Sequence, residues 1–305
     1  MLDFTPMTLE RLQEVNRILY RLPDPGCEFT PVNMLLWGRA RVAVTEDSVY
    51  SMYNIHGADS YFLPATVGDL PTAVKVLAED ARERSLPLSL FGVTSRTYAL
   101  LEEAFPLTFC FYEIRSAADY VYDIHRLAEL KGKKLQAKRN HIHRFEDACP
   151  DWQAVEITRE NLPRVRAMVQ EWYARHLAAH PEADIGAEEQ AISYAFDHME
   201  ALGMEGLFLE SGGQIVAMTL GSRIRETVFD VNFEKAFADV PGAYAMMNRT
   251  FAGYLRDKYP MLTHLNREDD MGIEGLRKAK QSYYPDILLR KYVAVTSPAQ
   301  EIGRA

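Results

Sequence analysis

The chain has 305 residues, of which 48% are hydrophobic and 25% are charged, and its formal net charge is −9. This is the composition of a globular protein, and the length predicts about two domains. The acidic balance argues against a general coating of nucleic acid or anionic membrane, although a local basic patch is compatible with it.

The three cysteines, Cys27, Cys110 and Cys149, are far apart and form no C-x-x-C pair. The sequence therefore supports neither a disulfide framework nor a zinc site. The N-terminal residues predict no signal peptide, and no run approaches the roughly 18 apolar residues that a membrane span needs. We expect a cytoplasmic protein, with peripheral membrane contact left open.

The N-terminal half predicts alternating helices and strands. Apolar residues recur at helical spacing in three segments, which are 9–22, 70–84 and 95–104. Five shorter segments have the character of strands, and these are 41–45, 48–53, 60–63, 88–93 and 107–114. The acidic turn Glu46-Asp47 joins the first two strands into a predicted hairpin.

The C-terminal half repeats this order. Four segments are predicted as helices, and these are 162–177, 188–202, 242–258 and 272–282. Five segments are predicted as strands, and these are 206–210, 214–224, 227–233, 261–265 and 286–295. Ser211-Gly212-Gly213 is a strong turn signal and predicts a hairpin between the first two of these strands.

Each half therefore reads as one or two helices, three strands, a helix, a strand, a helix and a strand. This is the element order of the GNAT acyltransferase fold. The predicted fold class is α/β (α+β), with two tandem GNAT-like domains, each a mixed, mostly antiparallel sheet flanked by helices. The predicted bounds are 1–117 for the first domain, 118–147 for a basic connecting helix or linker, 148–296 for the second domain and 297–305 for a frayed tail.

The connecting segment carries a basic patch in an acidic protein. Residues 131–145 contain six Lys or Arg, two His and no acid. Lys134, Lys138 and Arg139 lie near one helical face and, with Asn140, are candidates to bind the phosphates of a donor substrate. A solvated cationic helix face explains the pattern equally well. The patch suits a terminal phosphate, a lipid head group or a tRNA end better than duplex nucleic acid.

A second candidate site follows the predicted strand 227–233. Gly242 and Ala243 begin the next helix, where backbone amides receive the cofactor pyrophosphate in a GNAT fold. The pair is all that is recognisable of the usual Gln/Arg-x-x-Gly-x-Gly/Ala loop, which weakens a coenzyme A assignment. A Pro-Gly helix start that needs no ligand is the alternative interpretation. Asp230, in the strand itself, is a candidate acceptor-binding residue.

The segment 266–285 joins an acidic turn to a basic helix. A carboxylate among other carboxylates can have a raised pKa and act as a general base. Three residues are therefore candidates for catalysis, and these are Glu268, Asp269 and the phenol Tyr284. Arg277 and Lys278 are candidate donor-binding cations, and Asn266 and Glu274 are candidate acceptor-binding residues. Complementarity to the helix dipole explains the same order of charges without a ligand.

Several other kinds of site are excluded. The sequence contains no GxSxG elbow, Walker loop, HExxH or GxGxxG motif. His141 and His143 lack neighbouring ligands, so no metal site is predicted.

Three motifs carry a family resemblance. These are Lys-Gly-Lys-Lys-x3-Lys-Arg-Asn-His-Ile at 131–142, the helix start Gly242-Ala243-Tyr244, and Asn-Arg-Glu-Asp-Asp-Met-Gly-Ile-Glu-Gly-Leu-Arg-Lys-Ala-Lys at 266–280. They closely resemble bacterial proteins grouped with the C-terminal domain of phosphatidylglycerol lysyltransferase. The resemblance covers nearly the whole chain. It implies a tandem GNAT fold, as in the Fem-type aminoacyl transferases, and transfer of an aminoacyl group from aminoacyl-tRNA to an amine or hydroxyl. The multi-helix membrane domain of the synthases is absent from this sequence.

Three functional hypotheses follow. The first is an aminoacyl or acyl transferase that uses aminoacyl-tRNA as donor and a small molecule or lipid head group as acceptor. The second is an N-acyltransferase that uses acyl-CoA. The third is a non-catalytic ligand-binding protein on a GNAT scaffold.

Overall fold

The computed structural model describes residues 1–24, 26–37, 40–55 and 57–297. Apart from Ser297, the predicted frayed tail lies outside the described residues.

The helices are given first, in chain order. They are α1 (Leu12–Leu19), α2 (Pro31–Leu36), α3 (Leu70–Glu83), α4 (Ser95–Ala104), α5 (Ile124–Glu129), α6 (Gln136–Ala148), α7 (Leu162–Ala179), α8 (Gly186–Asp197), α9 (Ala243–Lys258) and α10 (Glu274–Gln281). Short 3-10 helices span Leu9–Arg11, Arg115–Ala117 and Lys133–Leu135. None of the described helices is both long enough and apolar enough to cross a membrane.

The strands are shorter and more numerous. They are β1 (Thr5–Pro6), β2 (Arg41–Val44), β3 (Ser48–Ile55), β4 (Ala58–Phe62), β5 (Ala65–Thr66), β6 (Ser89–Thr94), β7 (Phe109–Glu113), β8 (Asp119–Asp123), β9 (Gln153–Glu156), β10 (Glu205–Ser211), β11 (Gln214–Arg225), β12 (Val228–Ala236), β13 (His264–Asn266), β14 (Ile287–Leu289) and β15 (Lys291–Thr296).

The chain forms two compact units. The first contains Met1–Tyr120, Glu268–Arg277 and the chain from Ile287 onward. The second contains Val121–Arg267 and Lys278–Asp286. The segment 266–285 is thus divided between them. The domain bounds proposed from the sequence stay a prediction.

The first sheet has the strand order β1-β2-β3-β4-β6-β15-β7, with β5 paired to β3. Its helices bury apolar faces that include Val15 and Ile18 of α1 and Val74 and Leu77 of α3. The pair β4 and β6 is parallel and is connected through α3, as a crossover between parallel strands requires. The remaining pairs are antiparallel, so the sheet is mixed.

The second sheet has the strand order β14-β8-β13-β12-β11-β10-β9. The predicted hairpin around Ser211-Gly212-Gly213 is confirmed as β10 and β11, and Gly212 and Gly213 have φ values of 58° and 76° that suit a tight turn. The pair β12 and β13 is parallel and is connected through α9. This sheet is therefore also mixed, and its core includes Phe208, Phe229 and Phe251.

Two strands pair with partners that are distant in sequence. The segment predicted as a connecting helix or linker contains β8, which pairs with β13. The single strand predicted over 286–295 is two strands, and the second of them, β15, lies between β6 and β7. Each half of the sequence therefore supplies one strand to the sheet formed mainly by the other half.

Candidate functional site in the second unit

The parallel strands β12 and β13 diverge soon after they begin. They pair at three positions, Val228 with His264, Phe229 with Leu265, and Asp230 with Asn266. Beyond this point β13 ends, whereas β12 continues to Ala236 paired with β11. The carboxyl ends of parallel strands are where α/β folds bind ligands, so side chains that follow this divergence are candidates for a site.

Arg267 is the first residue after β13, and its guanidinium contacts β12. Its Nη2 donates to Oε1 of Glu234 at 2.9 Å. Its Nη1 is buried and has no hydrogen-bond partner among the described residues. A buried guanidinium donor without a partner is costly, because it has lost water and gained no acceptor. The second unit therefore holds a guanidinium whose hydrogen bonds are not all satisfied by the described residues.

Lys138, on α6, supplies a second cation near Arg267. Its Nζ lies 3.9 Å from the centre of the Tyr283 ring, a cation–π contact. The side chain is half-buried and has no hydrogen-bond or ion-pair acceptor within the described ranges. Arg267 also lies over Tyr283, with its guanidinium carbon 5.2 Å from the ring centre. We refer to Lys138, Glu234, Arg267 and Tyr283 as the Lys138 cluster.

The cluster has an unusual charge balance. Glu234 accepts a hydrogen bond from one of the two cations, Arg267, and interacts electrostatically with the other, Lys138. Burial, followed by the positive charge of Arg267, lowers the pKa of Lys138 to about 8, and Glu234 opposes the shift only in part. Burial raises the pKa of Tyr283 to about 12, so its ring is a neutral phenol near neutral pH. The site therefore combines a permanent cation with an amine that can lose its proton.

Polar side chains line the paired ends of β12 and β13. Asp230 and Asn266 face one another in register, and both are fully buried. Asn232 donates to Asp230 at 3.1 Å and accepts from the Ser222 hydroxyl at 3.1 Å. The two predicted acceptor-binding residues of this unit are thus brought together. Because they are buried, we expect them to organise the strand ends.

The basic segment 131–145 and the end of segment 266–285 meet in this unit. Lys138 contacts Tyr283, and Lys134 lies 5.5 Å from the ring centre of Tyr284. Tyr284 has a positive φ of 55° and is 46% exposed, which makes its ring accessible to a ligand. Two motifs that are far apart in the sequence therefore form one surface.

The remaining predicted donor-binding residues of the second unit have other surroundings. Arg139 donates to the carbonyl oxygens of Leu130 at 2.5 Å and Gly132 at 2.8 Å, so it closes the turn before α6. Asn140 is exposed and accepts from Gln136 at 2.9 Å. Lys278 is exposed on α10. Their roles in binding a donor stay a prediction.

The start of α9 has a packing role. Gly242 has a φ of 77°, and a Cβ added there would lie 2.0 Å from the carbonyl oxygen of His141. Ala243 is buried. Glycine is therefore required because α6 passes against this position. The predicted phosphate role of Gly242 and Ala243 has less support than the packing interpretation.

The other predicted site residues belong to the first unit, and one of them, Arg277, contacts Asp270. This fully buried carboxylate accepts from Arg277 at 2.8 and 2.9 Å, from Tyr120 at 2.6 Å, from Arg115 at 3.2 Å and from the Gly272 amide at 2.9 Å. The hydrogen bonds from Arg277 are the main reason that its pKa lies well below the usual range. We refer to Arg115, Tyr120, Asp270 and Arg277 as the Asp270 cluster.

The three remaining predicted residues flank the Asp270 cluster. Glu268 has a φ of 53° and accepts from the Asn33 amide at 3.1 Å. Asp269 accepts from the backbone amide of Met271 at 3.0 Å. Glu274 is exposed in the first turn of α10, where a carboxylate complements the helix dipole. Their catalytic and acceptor-binding roles stay predictions.

The first unit also buries a lysine between two carboxylates. Lys291 Nζ donates to Asp119 at 2.5 Å and to Glu28, and lies 3.7 Å from the Cys27 sulfur. Although burial disfavours its charge, Asp119 raises the pKa of Lys291 well above its usual value. The three possible metal ligands here, Cys27, Glu28 and Asp119, already surround an ammonium group. The arrangement is that of a buried ion pair.

Sequence reasoning missed Arg267 and Glu234. Arg267 is the second residue of the motif Asn-Arg-Glu-Asp-Asp, but the catalytic prediction was made for the acidic residues that follow it. Glu234 alternates with Asp230 and Asn232 along β12, and a polar residue at every second position of an apolar strand was the available signal.

Three solved structures illustrate what this chain resembles. A conserved protein of unknown function from Bacteroides thetaiotaomicron VPI-5482 is 36% identical, with a TM-score of 0.89 over 97% of this chain and 100% of that chain. L-PGS from Bacillus licheniformis is 16% identical, with a TM-score of 0.67 over 95% of this chain and 92% of that chain. FemX is 10% identical, with a TM-score of 0.61 over 97% and 96%. No curated protein matches this sequence significantly.

The two mixed sheets flanked by helices, together with these fold similarities, define a tandem GNAT fold. The predicted fold class is confirmed. The family model described as phosphatidylglycerol lysyltransferase, C-terminal, matches residues 20–295. The chain belongs to this family, as its three sequence motifs predicted.

Proposed function

We propose that the protein is an aminoacyltransferase that moves an aminoacyl group from aminoacyl-tRNA to an amine or hydroxyl acceptor. We place the reaction at the Lys138 cluster of the second unit. The observation that carries this assignment is the buried Nη1 of Arg267, which lacks an acceptor among the described residues. Family membership supports the class of reaction, since the family is described as phosphatidylglycerol lysyltransferase, C-terminal.

The charges of the cluster suit a nucleotide donor. Arg267 offers a planar guanidinium that hydrogen-bonds phosphate well, and the terminal nucleotide of an aminoacyl-tRNA carries a phosphate near its aminoacyl ester. Tyr284 and Lys134 lie on the same surface and offer an exposed ring and a cation to the adjacent nucleotide. In this proposal, positioning of the ester supplies most of the rate.

The use of acyl-CoA has less support. In that alternative a pyrophosphate would bind the amides at the start of α9, but Gly242 packs against the carbonyl oxygen of His141 there. A thermal-shift titration with coenzyme A thioesters separates the alternatives, because a ligand that binds the folded state raises its melting temperature. We expect no shift at millimolar thioester.

Transfer is tested directly with tRNA charged with radiolabelled amino acids. The purified protein is incubated with this donor and with two kinds of acceptor, vesicles containing anionic phospholipid and a set of small amines and alcohols. Label that leaves the tRNA is separated into free amino acid and acceptor conjugate. We expect conjugate formation with at least one amino acid.

Two variants show where the reaction takes place. Lys138→Met is expected to abolish conjugate formation, whereas Lys133→Met, which removes an exposed lysine of the same basic segment, is expected to retain it. Absence of conjugate with every aminoacyl-tRNA and both acceptor classes would contradict the proposed function. The non-catalytic alternative predicts binding of aminoacyl-tRNA without any release of label.

A further inference from the structure

We infer that Lys138 is the general base of the proposed transfer. In this role its neutral amine accepts the proton that the acceptor amine or hydroxyl loses as it attacks the aminoacyl ester. The inference rests on the proposed function, because it assigns one step within that reaction. It also replaces the role that the sequence predicted for Lys138, which was to hold a phosphate as a permanent cation.

The contacts of Lys138 favour its charged form only weakly, through the face of the Tyr283 ring. Its Nζ faces the Tyr283 ring at 3.9 Å and has no carboxylate or carbonyl acceptor in the described part of the chain. The nearby carboxylate, Glu234, directs its Oε1 to Arg267 at 2.9 Å. Of the two cations, only the lysine can lose a proton near neutral pH. The excess of positive charge in the cluster is therefore reduced when Lys138 loses its proton.

The other titratable groups around Lys138 favour the same outcome. Arg267 follows β13, Glu234 lies on β12, Tyr283 follows α10, and His141 lies on α6 with Lys138. Burial, followed by the charge of Lys138, lowers the pKa of His141, so this imidazole is neutral near pH 7. Burial and Arg267 bring the pKa of Lys138 to about 8, near the value that suits a general base at neutral pH.

Two of the buried lysines elsewhere in the described chain show the contrast. Lys291 lies between Asp119 and Glu28 and has a raised pKa. Burial lowers the pKa of Lys235 as well, but its Nζ donates a hydrogen bond to Glu188 at 2.7 Å, and this carboxylate opposes the shift. Lys138 has a ring face in place of such a carboxylate. Among these three lysines it is the one whose surroundings suit proton exchange.

The carboxylates predicted as bases are less suited to this step. Asp269 accepts from the Met271 amide, and Glu268 accepts from the Asn33 amide. Both carboxylates therefore already accept hydrogen bonds from groups of the first unit.

The proposed step balances without an added reagent. A bond forms between the acceptor oxygen or nitrogen and the ester carbonyl carbon, and the acceptor proton moves to the Lys138 amine. The bond from the carbonyl carbon to the ribose oxygen of the tRNA then breaks. Lys138 returns its proton to that oxygen, so the products are the aminoacylated acceptor and uncharged tRNA.

Three side chains at position 138 distinguish a base from a permanent cation. Lys138→Arg keeps the charge but cannot become neutral, and Lys138→Met removes both properties. Lys138→Cys, alkylated with bromoethylamine, restores a lysine-like amine of lower basicity. Because Cys110 is exposed, this variant is made in a Cys110→Ser background, and the Cys110→Ser protein treated in the same way is its control.

The rates of transfer are measured from pH 6 to pH 10 with the proposed donor. We expect Lys138→Arg and Lys138→Met to lose activity to a similar extent, by about 100-fold or more, as removal of a general base does. The alkylated protein is expected to regain activity, with the acidic limb of its pH profile shifted to lower pH. If Lys138→Arg retains activity within a few-fold, Lys138 acts as a cation and the inference is wrong.

A measurement that needs no substrate keeps the inference separate from the proposed function. The 13Cε resonance of Lys138, assigned by comparison with Lys138→Arg, is followed against pH in labelled protein. We expect a midpoint near the value of about 8 given above. A midpoint near 10.4, the ordinary value for lysine, would overturn the inference even if no aminoacyl-tRNA proved to be a donor. Failure of the wild-type protein to transfer any label overturns the proposed function instead.

Discussion

One short segment of sequence contributes to two charged clusters with opposite properties. In the first unit, Asp270 receives hydrogen bonds from two arginines, a tyrosine and a backbone amide. In the second unit, Arg267 has a buried donor without an acceptor among the described residues, and Lys138 faces only a ring. Charges whose hydrogen bonds are satisfied within the protein stabilise the fold, whereas charges left unsatisfied are available to a ligand. The density of charged residues in the sequence does not distinguish these cases.

The largest expected effect comes from removing the charge of Asp270. Asp270→Asn leaves two arginines without their buried carboxylate, and breaking such a pair costs about 3 to 5 kcal/mol. Urea denaturation followed by circular dichroism measures this change. Asp269→Asn is the matched control, because the side chain of Asp269 is only partly buried. We expect this substitution to lower the free energy of unfolding by about 1 kcal/mol or less. Equal effects of the two substitutions would contradict the structural role of the Asp270 cluster.

The start of α9 tests whether packing or a ligand explains Gly242. Gly242→Ala places a methyl group 2.0 Å from a backbone carbonyl oxygen at a φ of 77°. We expect a loss of about 2 to 4 kcal/mol from overpacking and backbone strain. Gly253→Ala, in the same helix, meets no atom within 4 Å and is expected to stabilise the protein by about 0.5 to 1 kcal/mol. A neutral Gly242→Ala would contradict the packing interpretation.

The fold was largely predictable from local signals. The Ser211-Gly212-Gly213 turn and the alternation of apolar residues along β10 and β11 are properties of neighbouring residues, so the hairpin could be placed correctly. The sheet positions of β8 and β15 could not be predicted in this way, because each of these strands pairs with strands that lie far away in the sequence. A short strand has too few residues for its pattern to reveal its partner.

The site was only partly predictable for the same reason. Lys138 stood out as part of a basic segment, and Tyr283 as part of a tyrosine pair, but nothing local indicates that they touch. Arg267 and Glu234 are 33 residues apart in sequence. Whether a charge is satisfied depends on such distant partners. The sequence alone therefore does not distinguish Arg277, which donates to Asp270, from Arg267, which has a donor without an acceptor among the described residues.

The Arg267–Glu234 ion pair is tested by substituting first one residue and then both, and the expected changes in stability are smaller. Arg267→Met leaves Glu234 without its cation, and we expect a loss of about 2 to 3 kcal/mol in the free energy of unfolding. Changing Glu234→Met as well is expected to recover part of this loss, as replacement of a buried ion pair by apolar residues often does. If the double variant is less stable than the single one, the pair stabilises the fold more than we propose.

The smallest expected effect is a dependence on pH. The pKa of Asp270 is lower in the folded than in the unfolded protein, so its ionisation stabilises the fold fully above the unfolded value of about 3.9. This contribution is lost as pH falls through the lower folded value. The stability difference between the wild type and Asp270→Asn should therefore be constant from pH 7 to about pH 4 and shrink below it. A difference that grows as pH falls would contradict the assignment.

The functional role of the Lys138 cluster is tested most directly when stability and transfer are both measured for Lys138→Met. Its free energy of unfolding is obtained from urea denaturation, and its rate of aminoacyl transfer from charged tRNA is measured under conditions in which the protein is fully folded. We predict a change in stability of no more than about 2 kcal/mol, the scale of a desolvated cation–π contact, together with loss of transfer. Retention of transfer at the wild-type rate, or a large loss of stability, would contradict the claim that the Lys138 cluster is the functional site.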